Sequence, residues 1–404
     1  MAIPAFGLIW LGAVLGASFA FAAQLVIGRY FGPSGLGEYL AAQALANSLL
    51  PVALFGYGAL FREQTDGVAD ALLVSARYVV RITTVLSALL CATISFNFGW
   101  APSRLVVALA FLLNSLAFEL LILRFQRRGE FSRVAIIQPI VYLIRLALIL
   151  VATVFSESLN ALFVIVAVGL LTTATWLSVD GRNSSKTGEA KTSTSEIWRC
   201  VRRMLPLFSL GMISVAQITV DRLIVGERLG AASLGIYGTV LSLVMLAELL
   251  PSSYANRYLL GTLSEDRYLR VTRVSLGILS VGSVLALALA HLGVGLLPSL
   301  FGKAFQVSPS LMLWAGVFLV ARFATILLLP WALYFGLIRQ KVFLDIVVLL
   351  LSIVFSYLGA TYSDLAAIVC AKALVESMAS ACVFVFVSRR RYMSKYAMVR
   401  SNGA

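Results

Sequence analysis

The chain has 404 residues, of which 60% are hydrophobic and 12% are charged, and its mean hydropathy is +0.95. Soluble globular proteins average roughly 45–50% apolar and about 25% charged residues, so this composition excludes an ordinary soluble enzyme. The apolar residues run in long continuous blocks, which excludes a transmembrane β-barrel built from strands of alternating hydrophobicity. The composition therefore predicts an all-α polytopic membrane protein.

Twelve apolar segments follow one another along the chain, and most are as long as the roughly 17–25 residues that cross a bilayer as a helix. The first segment lacks the charged start of a signal peptide and is longer than a signal peptide's apolar region. It also has a counterpart later in the chain, so we interpret it as a retained helix. The segments cover residues 5–28, 38–61, 79–98, 104–123, 134–155, 158–179, 204–226, 236–256, 272–292, 309–333, 343–360 and 365–387.

Basic residues are distributed unequally between the two sides of these segments. Of the 32 Lys and Arg residues, 24 lie in or beside the loops after even-numbered segments and in the C-terminal tail. The opposite loops hold only four, namely Arg29, Arg104, Arg228 and Lys303. Because basic residues concentrate in cytoplasmic loops, this asymmetry predicts cytoplasmic N and C termini. It also accounts for the net charge of +14 without nucleic acid, since cytoplasmic basic residues meet anionic lipid headgroups.

The chain contains an internal repeat. Residues 24–39 read QLVIGRYFGPSGLGEY, and residues 222–237 read RLIVGERLGAASLGIY. Each copy joins the first and second helices of a six-helix half, and its glycines suit a tight extracytoplasmic turn between closely approaching helices. At an offset of 198 residues the identities are Leu25/Leu223, Gly28/Gly226, Gly32/Gly230, Leu36/Leu234, Gly37/Gly235 and Tyr39/Tyr237.

The repeat predicts two six-helix lobes of the same orientation, related by an axis along the membrane normal. The helix after each turn contains a proline, Pro51 or Pro251, where we expect a kink. Residues 180–196 form a polar linker, and Ile197–Arg203 is an amphipathic approach to the seventh helix. We therefore expect an N-terminal lobe at 1–179, a cytoplasmic linker at 180–203, a C-terminal lobe at 204–387 and a basic cytoplasmic tail at 388–404.

These motifs resemble those of the polysaccharide-transporter branch of the MOP exporter superfamily, the Wzx-type flippases of O-antigen and exopolysaccharide repeat units. The residues that carry the resemblance are GRYFGPSGLGEY at 28–39, LFGYG at 54–58 and QITVDRLIVGERLGAASLGIY at 217–237. The resemblance implies two six-helix lobes around a central cavity, working by alternating access. Lipid II flippases of the superfamily usually carry two additional helices, so twelve segments disfavour that variant.

The same resemblance implies a function. A member of this branch would flip undecaprenyl-diphosphate-linked oligosaccharide across the bacterial inner membrane, for O-antigen, capsule or exopolysaccharide synthesis. Its partners would be that substrate, membrane lipids, and a glycan polymerase and glycosyltransferases of the same pathway, with no nucleic acid. We expect no cofactor, no metal and no catalytic residue, although H⁺ or Na⁺ is a candidate coupling ion.

Ionisable residues within the spans are functional candidates, because a charge in the bilayer is costly. Arg145 and Arg322 lie near the middle of their spans, and neither has an acid three or four residues away. Each requires a partner on another helix, a watery cavity or an anionic ligand, and a guanidinium binds phosphate bidentately. The further candidates for substrate binding are Arg29 and Arg62, which we place at the cavity entrances, and Lys372.

The remaining ionisable residues are candidates for coupling or counter-charge. Lys372 and Glu376 are spaced for an i,i+4 pair on one helix face. Asp221 and Arg222 belong to the repeated motif, so a structural or gating role is as plausible for them as contact with a ligand. Glu119 and Glu248 are central enough to neutralise a cation or to exchange a coupling ion.

Two other functions remain open. An ion-coupled efflux transporter for small drugs would share the fold, but cationic drugs favour an acid-dominated cavity. A membrane enzyme, such as a glycan polymerase or ligase, generally carries a large extracytoplasmic loop. The longest outer connection here, at about 292–308, holds a single Lys. We therefore expect a transporter that makes and breaks no covalent bond.

Overall fold

The computed structural model describes residues 3–57, 69–127, 130–182, 194–255, 268–362 and 364–402. These ranges are helical almost throughout, and a short 3₁₀ turn, Leu246–Glu248, separates two of the helices. The helices are α1 (Ile3–Leu54), α2 (Ala69–Asn97), α3 (Pro102–Arg127), α4 (Phe131–Phe155), α5 (Leu159–Arg182), α6 (Thr194–Arg228), α7 (Gly230–Met245), α8 (Leu249–Ser253), α9 (Tyr268–Phe301), α10 (Pro309–Tyr334), α11 (Ile338–Thr361) and α12 (Leu365–Asn402).

The described helices account for all twelve predicted segments. Among the described residues, ten stretches are long and apolar enough to cross a membrane, and the first of them, Trp10–Leu54, is a 45-residue stretch that contains two predicted spans. The seventh predicted span lies within α6, whose 35 residues include a polar and basic first part that lowers its mean hydropathy. The all-helical polytopic fold is therefore confirmed, while the cytoplasmic location of both termini stays a prediction.

Two glycines at equivalent positions of the repeat make the turns between the first two helices of each half. Gly32, inside α1, has φ 68° and ψ −173°, and Gly230, the first residue of α7, has φ 84°. Side chains with a Cβ rarely adopt such positive φ values, whereas glycine does so at no steric cost. Each turn is therefore made at one or two residues, and no loop separates the helices.

The two copies of the motif contact each other reciprocally. A Cβ atom added to Gly37 would overlap the carbonyl oxygen of Ala231, and one added to Gly235 would overlap the carbonyl oxygen of Pro33. Since residues 33 and 231, like 37 and 235, are equivalent in the repeat, the contact has the form found across a two-fold axis. Both glycines are required because backbone approaches backbone at this point.

Two compact units make up the chain. The first comprises Leu11–Gly235, and the second comprises Ile236–Ala404 with the first ten residues. In the first unit α3 and α4 pack against α5, and α6 packs against α2. In the second unit α10 and α11 pack against α12, and α9 packs against α10. The predicted lobe boundaries stay a prediction, and residues 183–193 of the linker lie outside the described ranges.

Two pairs of equivalent helices in the two units begin at the same spacing, which the sequence motif did not reveal. Helices α3 and α10 both begin at a Pro-Ser pair 207 residues apart, and α4 and α11 also begin 207 residues apart. The motif itself repeats at 198 residues, and α2 and α9 begin 199 residues apart, so most of the increase to 207 arises within and after the third span of each half, where α9 has 34 residues and α2 has 29. This change of offset hides the later part of the repeat from a search at a single spacing.

The two prolines expected to kink their helices behave differently. At Pro251 the helix changes type, because α7 gives way to the 3₁₀ turn Leu246–Glu248 before α8 begins. Proline has no N–H to donate to the carbonyl four residues earlier, which favours such a break. Helix α1 instead keeps helical backbone angles through Pro51 and ends at Leu54, where the Phe55 N–H donates to the Pro51 carbonyl at 2.8 Å.

The reciprocal glycine contact predicts that a larger residue at either glycine lowers the stability of the protein. Gly37→Ala and Gly235→Ala should each lower the free energy of unfolding by about 1–3 kcal/mol, because the added methyl group must push two backbones apart. Thermal unfolding of the purified protein in detergent measures this effect.

Gly277→Ala is the matched control, since that glycine lies in α9 with nothing within 4 Å of an added Cβ. It should leave stability unchanged or raise it, because Ala favours a helix over Gly by up to about 1 kcal/mol. Equal behaviour of Gly37→Ala and Gly277→Ala would show that the close approach has no energetic consequence.

Candidate functional site

Arg145 is a buried cation in the first unit. Its side chain, on α4, is 8% exposed, and its Cζ lies 4.6 Å from the ring centroid of Phe111 and 5.4 Å from that of Tyr142. No carboxylate pairs with it among the residues that the structure describes. The aromatic faces offset part of the desolvation cost of the guanidinium, by about 2 kcal/mol for a desolvated cation–π contact.

The motif tyrosine of the first half belongs to the same cluster. Tyr39, on the second part of α1, packs edge-on against Phe111, with the ring centroids 5.3 Å apart and the rings at 78°. It is 1% exposed, and its hydroxyl has no hydrogen-bond partner within the described ranges. The Gln24 side-chain oxygen, also on α1, is likewise buried without a partner there. A cation and unused polar groups therefore lie in the interior of one unit.

The second unit holds a related arrangement. Lys372, on α12, is buried, and its Nζ lies 4.9 Å from the ring centroid of Phe318 on α10. Phe318 is the equivalent of Phe111 at the offset of 207 residues, so each unit places a cation over the same phenylalanine. Tyr237, the partner of Tyr39 in the repeat, is also fully buried. The pairing of Lys372 with the buried Glu376 stays a prediction.

Arg322 forms an ion pair with Glu248. The Arg322 Nε donates to the Glu248 Oε2 at 2.9 Å, and the two side chains are 13% and 15% exposed. Glu248 belongs to the 3₁₀ turn between α7 and α8, and Arg322 lies near the middle of α10. Of the partners open to Arg322, the structure thus provides a carboxylate on another helix. Glu248 therefore neutralises the charge of Arg322, whereas no carboxylate among the described residues neutralises Arg145.

Asp221 and Arg222 are both buried near the end of α6. The Asp221 Oδ1 accepts a hydrogen bond of 2.9 Å from the Arg222 backbone N–H. Half a turn earlier, the Thr219 hydroxyl accepts a hydrogen bond of 2.8 Å from the Ser48 hydroxyl of α1. These contacts tie the seventh predicted span to the second one inside the first unit, which fits the structural alternative for this part of the motif.

The other predicted residues are dispersed. Arg29 is exposed beside the buried Gly28, and Glu119 is half-buried on α3. A Cβ on Gly226 would lie 2.9 Å from Leu234, so this motif glycine accommodates a neighbouring side chain. Arg62 lies outside the described residues, at 58–68.

Phe111 and Phe318 were not expected from the sequence. Each is one of many aromatic residues in apolar helices, and single-sequence periodicity does not separate a cation platform from ordinary core. The available signal was the Pro-Ser helix start shared by α3 and α10, which places both phenylalanines nine residues further on.

Comparisons with known proteins identify the fold. No family model matches the sequence, and no curated protein matches it. A structure of the inward-facing conformation of a multidrug resistance MATE family transporter of the MOP superfamily is 12% identical, with 94% of this chain and 96% of that chain covered and a TM-score of 0.62. MATE in complex with MaD3S is 12% identical, with 96% and 95% covered and a TM-score of 0.61.

The outward-facing conformation of a MATE family transporter is also similar, at 13% identity, with 97% of this chain and 96% of that chain covered and a TM-score of 0.55. Identities this low show the fold alone. The chain therefore has the fold of MATE transporters of the MOP superfamily, over nearly its whole length, and its fold class agrees with the one expected from the sequence.

The Arg322–Glu248 pair predicts strong energetic coupling. Arg322→Gln or Glu248→Gln alone should destabilise the protein by about 3–5 kcal/mol, because each leaves a buried charge uncompensated. The double variant should cost much less than the sum of the two, which a double-mutant cycle of thermal unfolding in detergent measures.

The exposed pair Arg133–Glu130 is the matched control, with an N–O distance of 3.0 Å and side chains 63% and 30% exposed. Its cycle should give a coupling of about 0–1 kcal/mol, because solvent screens the interaction. A coupling at Arg322–Glu248 no larger than at the exposed pair would contradict the burial argument.

Proposed function

We propose that the chain is a membrane transporter that works by alternating access and flips undecaprenyl-diphosphate-linked oligosaccharide across the bacterial inner membrane. The transporter class is supported by the fold, since structures that share it are those of transporters in inward-facing and outward-facing conformations. Fold by itself does not define a substrate, which has to be argued from the site. The charges inside the helices are the features that support this substrate.

The buried, unneutralised charge of Arg145 is the observation that supports an anionic substrate. An arginine at the centre of a membrane helix costs about 2.5–3.5 kcal/mol even on insertion scales, and its aromatic neighbours offset only part of this. Within the described ranges the protein supplies it with no carboxylate. A diphosphate supplies the missing negative charge and two oxygens for the planar guanidinium.

Two buried polar groups of α1, in the same unit as Arg145, suit the rest of such a substrate. The Tyr39 hydroxyl and the Gln24 side-chain oxygen are buried with unused hydrogen-bonding capacity among the described residues. Sugars present many hydroxyl groups that donate and accept, so they satisfy groups of this kind. The polyprenyl chain needs no polar site, because it stays in the lipid. Movement of such a substrate makes and breaks no covalent bond.

Drug efflux is the second candidate, because the fold is shared with proteins titled multidrug resistance transporters. A cationic drug would require a carboxylate that the protein leaves free of its own cations. Glu248, a carboxylate at a broken helix, is instead neutralised by Arg322 at 2.9 Å. The charge pattern at Arg145 and at Glu248 therefore favours an anionic substrate.

The proposed role of Arg145 predicts that its substitution reduces glycan export. In a strain that lacks its own copy of the protein, Arg145→Ala should reduce surface glycan on the order of tenfold to a hundredfold, because a charge-assisted hydrogen bond contributes about 1.5–3 kcal/mol. Arg145→Lys should give an intermediate loss, since it keeps the charge but not the bidentate geometry. Surface glycan is measured together with the amount of the protein in the membrane.

Arg133→Ala is the control, because Arg133 is exposed and pairs with Glu130. It should leave glycan export unchanged. Full export by Arg145→Ala at normal abundance would contradict the phosphate site. Resistance to cationic drugs that depends on the protein, with no change in glycan, would establish efflux instead.

A further inference from the structure

The second unit contains a pocket that the proposed function does not use. Its volume is about 390 Å³, and α9, α10 and α12 line it. This is within the roughly 300–1,000 Å³ typical of small-molecule sites. The lining residues of α9 run from Thr272 to Leu279 at intervals of three and four residues, so they form one continuous face of that helix.

The pocket becomes more polar towards one end. Its residues occupy the start of α9 and the later parts of α10 and α12, which are the predicted cytoplasmic halves of these spans. At that end lie Thr272 and Ser388, and the exposed Arg273 and Arg389 are next to them in the sequence. Trp331 is at the same end of α10, where an aromatic belt marks the headgroup level of a membrane protein.

The deeper part of the pocket is apolar. Leu276 and Leu279 of α9 and Leu327 and Leu328 of α10 line it. The polar Ser380 at this depth is already satisfied, because its hydroxyl bonds to Thr325 and to the Ala321 carbonyl at 2.8 Å each. A ligand that fits this pocket has to be hydrocarbon at the deep end.

Ser275 lies between the two parts. Its hydroxyl oxygen is buried and has no hydrogen-bond partner within the described ranges. It is two residues further into the span than Arg273, or about 3 Å along the helix axis. A buried hydroxyl without a partner costs about 1–3 kcal/mol, so this position favours a ligand with an acceptor just below its charged group.

We propose that this pocket binds an anionic phospholipid of the cytoplasmic leaflet. The acyl chain fills the apolar end, the ester carbonyl accepts a hydrogen bond from Ser275, and the phosphate lies against Arg273 and Arg389. Basic residues at the cytoplasmic surface bind anionic headgroups in this way. A polyprenyl diphosphate fits less well, since it has no acceptor between its phosphate and its hydrocarbon. The site is independent of the transported substrate and would stabilise the second unit.

The experiment measures lipid affinity of the full chain in detergent, from the rise in thermal unfolding midpoint as phosphatidylglycerol or phosphatidylcholine is added. The wild type should bind phosphatidylglycerol about thirtyfold more tightly, from two arginines near the headgroup. Arg273→Gln with Arg389→Gln should abolish this preference. Ser275→Ala should weaken binding of ester lipids but not of diether analogues.

Leu276→Trp tests occupation of the pocket. Leu276 lines it and is 57% exposed, whereas Leu285, on the same helix and 43% exposed, does not line it. Leu276→Trp should abolish stabilisation by phosphatidylglycerol, and Leu285→Trp should preserve it. The proposal is overturned if the two variants behave alike, if inorganic phosphate stabilises as well as the lipid, or if undecaprenyl phosphate competes more strongly than phosphatidylglycerol. Glycan export is not measured, so failure here leaves the proposed function untouched.

Discussion

A cation buried in a membrane-spanning helix has to be compensated by a neighbouring group, because the hydrocarbon around the protein cannot solvate it. The described part of the chain does this in two ways. Glu248 neutralises Arg322 directly, while Arg145 and Lys372 lie against the faces of Phe111 and Phe318. The first arrangement ends in a neutral pair. A ring face attracts a cation without cancelling its charge, so Arg145 keeps its positive charge in the interior of the first unit.

The two units show how a duplicated architecture acquires different chemistry. The turn glycines recur in the two halves of the repeat, and the phenylalanine and the buried tyrosine recur at equivalent positions of the two units. The cation over the phenylalanine comes from α4 in the first unit and from α12 in the second. The second unit alone breaks its proline-containing helix into a 3₁₀ turn, and that turn carries Glu248. Broken helices are common at transporter sites, because their freed backbone groups and side chains face an interior.

The comparison with MATE transporters separates fold from substrate. At 12–13% identity the helices follow the same path over nearly the whole chain, which requires only apolar faces and close helix contacts. A change of substrate requires only a few interior side chains to change charge. Within the described residues, an arginine without a carboxylate partner and an acid neutralised by an arginine are both compatible with this fold, and they are the observations behind the proposed anionic cargo.

The sequence by itself determined the membrane class, the number of spans and the turn between the first two helices of each half. These depend on local properties: the length of apolar runs, and the positive φ that Gly32 and Gly230 tolerate. Only the tertiary structure decided that Arg322 pairs with Glu248, 74 residues away, that Arg145 lies on Phe111, and that Gly37 and Gly235 contact the opposite turn. Such pairings depend on helix packing, and a single sequence does not specify which surfaces of two helices contact each other.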